Sequence, residues 1–62
     1  MKTYTITRLD TNDIKFVKAN SPAMAMTIMM DKWWTNFYGP VYIEGLWEIY
    51  SIDGMKLKFT VT

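Results

Sequence analysis

Only one segment of this chain has the sequence pattern of a helix, and alternating, strand-like segments lie on both sides of it. Ser21 and Pro22 are typical of a helix start: the serine side chain caps a free N–H group, and proline lacks an N–H that would be unpaired there. The pattern predicts a helix to about Asn36, ended by the Tyr38-Gly39-Pro40 segment. Its predicted apolar side consists of Ala23, Met26, Met30, Trp33, Trp34 and Phe37.

Two strands are predicted before the helix. The first covers Lys2 to Leu9, and the turn-rich residues 10–13 follow it. The second, from Ile14 to Ala19, places Ile14 and Phe16 on one face and Lys15 and Val17 on the other. These two strands form a predicted hairpin.

Residues 41–50 allow two interpretations. Its odd-numbered positions are all apolar residues or glycine, and this unbroken alternation favours a single long strand that bends or bulges at Gly45. The alternative is a tight hairpin at Glu44-Gly45, which would give the sheet a fifth strand. It is less favoured because it places the Glu48 carboxylate on the same face as Val41.

Asp53 and Gly54 predict a closing hairpin, and the charged residues near it indicate its register. A two-residue loop would bury Glu48 among apolar side chains, whereas a three-residue loop, Ile52–Gly54, leaves it outside. The predicted cross-strand pairs are Trp47 with Phe59 and Ile49 with Leu57 inside, and Glu48 with Lys58 and Tyr50 with Lys56 outside.

Together these elements predict a single α+β domain over residues 1–62, with the order ββαββ. The helix packs on one face of a four-stranded, mainly antiparallel sheet, or of a five-stranded one if Gly45 is a turn. The strand order stays open, because the first strand can lie beside the last or the two hairpins can join along another edge.

Composition excludes most catalytic chemistry. Among its 62 residues the chain has no histidine and no cysteine, so the usual nucleophile–base pairs, disulfides and zinc sites are absent. Its three glycines are isolated and form no phosphate-binding loop. We therefore expect no catalytic, cofactor or metal site. The start of the chain lacks a signal peptide pattern and no apolar run could span a membrane, so a cytoplasmic protein is expected.

Two surfaces are candidates for binding a partner. The first is the sheet face away from the helix, where aromatic and lysine side chains alternate; the second is the outer side of the helix. Each competes with a simpler interpretation, an ordinary solvated face with scattered apolar residues. The predicted sheet-face residues are Tyr42, Leu46, Tyr50, Lys56, Lys58 and Lys15, and the predicted helix residues are Met24, Ile28 and Lys32.

The closing segments resemble two known families. The order of elements and the ending Phe59-Thr60-Val61-Thr62 are similar to the immunoglobulin-binding domains of bacterial protein G, a likeness of fold that implies no function. Gly45-Leu46-Trp47, Tyr50 and Asp53-Gly54 resemble the closing hairpin of small phage-encoded anti-CRISPR inhibitors. That resemblance implies a small protein that blocks a larger host assembly by occupying one of its surfaces.

The leading hypothesis is a non-enzymatic interaction module, of phage or mobile-element type, that inhibits a host protein or a nucleoprotein complex such as a CRISPR effector. One alternative is a nucleic-acid-binding domain that uses Lys15, Lys56, Lys58, Tyr42 and Tyr50, although the net charge of +1 gives it little electrostatic support. The other alternative is a structural protein that self-associates, for example as a homodimer, through an edge strand or the open face.

Overall fold

The computed structural model describes all 62 residues and contains one helix and five strands. The elements are β1 (Lys2–Arg8), β2 (Ile14–Ala19), α1 (Pro22–Trp33), β3 (Phe37–Ile43), β4 (Leu46–Ser51) and β5 (Lys56–Val61). The five strands form one antiparallel sheet in the order β2-β1-β5-β4-β3, so the first strand lies beside the last. The predicted α+β class, with a helix on a sheet, is confirmed.

The helix begins as predicted and ends earlier. The Ser21 side chain accepts a hydrogen bond from the Met24 N–H at 3.1 Å, and proline occupies the first turn. The last helical residue is Trp33, three residues before the predicted end at about Asn36, and Trp34 caps the helix. Trp34 there packs edge-to-face on Phe37, with ring centroids 5.2 Å apart, so tertiary packing overrides the helical pattern. Gly39 and Pro40 do not end the helix, since both lie inside β3.

The core lies between the helix and one face of the sheet. The buried helix residues are Ala25, Met26, Met29 and Met30, so the predicted apolar side is rotated: Ala23 is exposed and Trp33 is 40% exposed. Trp34, in contrast, packs against the core. On the sheet the buried apolar residues are Tyr4, Ile6, Val17, Ala19, Ile49, Leu57 and Phe59.

The first hairpin has the opposite faces to those expected. β1 pairs with β2 so that Tyr4 lies opposite Val17 and Ile6 opposite Lys15. Because Tyr4 and Ile6 are buried under the helix, Val17 is buried too, and Phe16 is turned to the open face, where it is 69% exposed. The prediction that Lys15 lies on the open face is therefore wrong.

The single long strand predicted over residues 41–50 is also wrong. Glu44 and Gly45 both have positive φ, 51° and 84°, as a two-residue hairpin turn requires, and the segment forms the paired strands β3 and β4. In this register Tyr42 lies opposite Trp47, with ring centroids 4.7 Å apart. Tyr42 thus lies on the helix side of the sheet, away from the open face predicted for it.

The buried carboxylate that counted against this hairpin is accommodated by its neighbours. Glu48 lies opposite Val41 and is only 6% exposed. Its Oε1 accepts a short hydrogen bond of 2.5 Å from the Tyr50 hydroxyl, and the Lys56 Nζ lies 3.9 Å away. Tyr50 and Lys56 lie on the open face of the sheet together with Glu48, so the buried carboxylate has polar partners.

The closing hairpin has the predicted register in all four pairs. Trp47 lies opposite Phe59 and Ile49 opposite Leu57 on the helix side, while Glu48 lies opposite Lys58 and Tyr50 opposite Lys56 on the open face. Ser51 and Met55 flank the three-residue loop through a 2.9 Å hydrogen bond, and Gly54 adopts the left-handed conformation with φ of 89°.

Because Val17 and Phe16 lie on opposite faces of β2, replacing each with threonine should change the stability by different amounts. We expect Val17→Thr to lower the free energy of unfolding by about 1–3 kcal/mol, because it buries a hydroxyl in an apolar environment. Phe16→Thr should change it by no more than about 0.5 kcal/mol, because the ring is mostly exposed. Urea unfolding of the two variants and the parent measures both values. A large loss for Phe16→Thr together with a small one for Val17→Thr would contradict the observed register.

Candidate protein-interaction surface

Exposed apolar side chains gather where the free edge of β2 approaches the helix. Five of them, between 37% and 69% exposed, come from the open face of β2, from the outer side of α1 and from its last turn. Three lysines lie among them. We call this region the β2–α1 surface; it consists of Ile14, Phe16, Met24, Ile28 and Trp33 with Lys15, Lys18 and Lys32.

A groove between strand and helix connects the two parts of this surface. Its volume is about 150 Å³, and Ile28 and Lys32 of the helix line it together with Phe16 of the strand. Met24 lies one helical turn before Ile28. The groove thereby joins the predicted helix residues Ile28 and Lys32 to Phe16, which was not predicted as a site residue, and Met24 lies outside its lining. The full lining is Phe16, Val17, Lys18, Ile28, Lys32 and Trp33.

Trp33 is the aromatic centre of this surface. The Lys15 Nζ lies 5.1 Å from its ring centroid and the Lys32 Nζ 4.9 Å, so two cations approach one indole. The predicted sheet-face residue Lys15 is thus part of this surface, on the helix side of β2. Tryptophan is one of the residues enriched at the energetic centre of protein interfaces.

The remaining predicted sheet-face residues lie together on the open face, except for Tyr42. Leu46, Tyr50, Lys56 and Lys58 share that face through the β4–β5 register. Glu48 lies between them and binds two of them, Tyr50 and Lys56, and the Lys56 Nζ also lies 5.8 Å from the Tyr50 ring centroid. Glu48, Tyr50 and Lys56 thereby satisfy one another's polar groups, which leaves fewer of these groups free for a ligand.

A second cleft opens between the end of the helix and the closing hairpin. It is wide, about 620 Å³, and the exposed side chains of Ile52 and Met55 lie on its rim. Its only charged group is Asp53, and sequence reasoning did not predict it. Its lining is Trp34, Thr35, Asn36, Phe37, Tyr38, Ser51, Ile52, Asp53 and Met55.

Because of the Glu48–Tyr50 hydrogen bond, the stability of the fold should vary with pH in the alkaline range. It raises the pKa of Tyr50 above the ordinary value of 10.0, with burial and the negative charge of Glu48 acting in the same direction. The folded protein then holds the phenolic proton more tightly than the unfolded chain does. The stability that this proton contributes is present below about pH 10 and is lost as the pH rises through the folded pKa.

We therefore expect the free energy of unfolding to fall above about pH 10, and Tyr50→Phe to reduce that fall. Urea unfolding at a series of alkaline pH values measures it, and an absorbance titration of tyrosinate locates the pKa. Tyr38→Phe, which removes an exposed hydroxyl, is the matched control and should leave the parent's pH dependence in place. An unchanged pH dependence in Tyr50→Phe would contradict the coupling to Glu48.

Comparisons with known proteins identify no relative of this chain. Searches against protein-family models, curated proteins and solved structures find no match. The one helix is too short and too polar to cross a membrane, and no three carboxylate side chains cluster as a metal site would require. The β2–α1 surface is therefore interpreted from its own side chains.

Proposed function

We propose that this protein is a small, non-enzymatic interaction module that binds another protein through the β2–α1 surface. The observation that carries the proposal is Phe16, a large aromatic side chain left 69% exposed beside Ile14, Ile28 and Trp33. Single exposed apolar residues are common, but a contiguous group around a groove is characteristic of a binding surface.

The arrangement of the cations supports a protein partner over a nucleic acid. Five of the seven Lys and Arg side chains lie over aromatic rings, at Lys2, Arg8, Lys15, Lys32 and Lys56. Arg8 is also paired with Asp10 at 2.6 Å. Affinity for phosphates depends on several cations that replace counterions, whereas the net charge here is only +1 and the lysines of the β2–α1 surface alternate with apolar side chains.

The non-enzymatic part of the proposal rests on composition. A chain without histidine and cysteine lacks the side chains of most acid–base and nucleophilic catalysis. A small binding module acts by occupying a surface, which is the mode of the phage-encoded inhibitors that the closing hairpin resembles. We accordingly propose an inhibitor of a larger host protein or nucleoprotein assembly, acting in the cytoplasm.

Capture of partners from host-cell lysate tests this function. The tagged parent protein, Phe16→Thr and Ile52→Thr are compared, each with and without nuclease treatment. Ile52 is the matched control, because it is 82% exposed but lies outside the β2–α1 surface. We expect a partner protein that survives nuclease treatment, is retained by Ile52→Thr, and is lost or reduced at least tenfold by Phe16→Thr.

Other outcomes assign the function elsewhere. Recovery that disappears with nuclease would indicate nucleic-acid binding, and affinity should then fall steeply with salt. Equal recovery by Phe16→Thr would remove the β2–α1 surface as the site. Concentration-dependent mass in the absence of any partner would favour self-association.

A further inference from the structure

The backbone of β2 has a free hydrogen-bonding edge. Thr5 of β1 exchanges two hydrogen bonds with Thr62, at 2.9 and 3.0 Å, so the odd-numbered residues of β1 bond towards β5 and the even-numbered ones towards β2. Their partners in β2 are odd-numbered. The N–H and C=O groups of Phe16 and Lys18 therefore point away from the sheet, with no strand beside them.

The opposite edge of the sheet is protected against strand addition. β3 carries Pro40, which has no N–H to donate, and its register shifts between Tyr38 and Val41. Such interruptions are the usual means by which edge strands avoid pairing. β2 contains no proline and no register shift, so it is the edge that can accept another strand.

The side chains on the two faces beside this edge could contact the two alternating rows of side chains on an added strand. Successive residues of a strand point to opposite faces. One row of an incoming segment would enter the groove towards Ile28 and Trp33, and the other would lie on the open face beside Phe16 and Lys18. A groove-facing row must be apolar to match Ile28, Val17 and Trp33.

The charges around the edge favour an acidic partner over a second copy. Lys15, Lys18 and Lys32 surround it, and the protein's two ion pairs, Arg8–Asp10 and Lys56–Glu48, involve none of them. Pairing β2 with its own copy would bring six lysines together at one interface, which costs electrostatic free energy. An incoming segment with carboxylates on its open-face row would instead neutralise Lys18 and bring no further positive charge to the edge.

We propose that β2 binds an extended segment of the partner protein as an added sixth strand, with apolar side chains in the groove and Asp or Glu side chains on the open face that reach Lys18. This inference rests on the proposed function and specifies its mode. Main-chain hydrogen bonds supply affinity in such recognition, and the alternating side chains supply specificity. Phe16 contributes both an exposed ring and a free N–H to the contact.

A pair of synthetic peptides tests the mode directly. One alternates valine with glutamate and the other alternates valine with lysine, so the two share β propensity and differ in charge. Each is titrated into the isotopically labelled protein, followed by NMR and by amide hydrogen exchange. We expect the valine–glutamate peptide to slow exchange at the Phe16 and Lys18 amides, and to bind at least tenfold more tightly than the valine–lysine peptide.

A charge-reversed variant supplies the control. Lys18→Glu changes one exposed side chain on the open face and should reverse the preference between the two peptides. Binding without slowed exchange at Phe16 and Lys18, equal binding of both peptides, or no binding of either would overturn strand addition. If Phe16→Thr still abolishes capture of the partner in that case, the proposed function stands and only its mode is wrong.

Discussion

The contact between one short helix and one face of the sheet determines the rest of this structure. The twelve residues of α1 extend about 18 Å, and the side chains that seal the sheet are Ala25 and three methionines. Ala25 and Ala19 are both fully buried, so the helix packs close to β2. This position leaves the groove beside β2 on one side and the wide cleft near Trp34 on the other. It also leaves the second face of the sheet without a covering layer, so that face has to be stable in water or in contact with a partner.

The features predicted correctly are those in which two independent requirements agree. The closing hairpin has one register that pairs Trp47 with Phe59 inside and Glu48 with Lys58 outside, and a shift by one residue would violate both faces. The helix start is specified locally by Ser21 and Pro22. The end of the helix is not specified in this way, because Trp34 and Phe37 fit the helical pattern yet pack on each other outside the helix.

Two predictions were wrong because they considered a residue's own polarity without the neighbouring residues that determine its position. The Glu44-Gly45 hairpin was disfavoured because it covers Glu48, yet Tyr50, two residues later on the same face, supplies the hydrogen bond that the carboxylate needs. Phe16 was not recognised as a site residue, although the predicted four-residue turn at 10–13 already pairs Ile6 with an odd-numbered residue of β2 and so turns Phe16 away from the core. No local signal shows that Trp33 is flanked by two lysines, because Lys15 comes from another element.

The difference between the two sheet edges limits the stoichiometry of any assembly built by strand pairing. A filament needs two open edges on each subunit, so that every added copy presents a new edge for the next. Here Pro40 and the register shift close one edge, and only β2 remains available. Each molecule can therefore add one strand at β2 but cannot continue a sheet beyond β3, so strand pairing alone gives it no route to a filament.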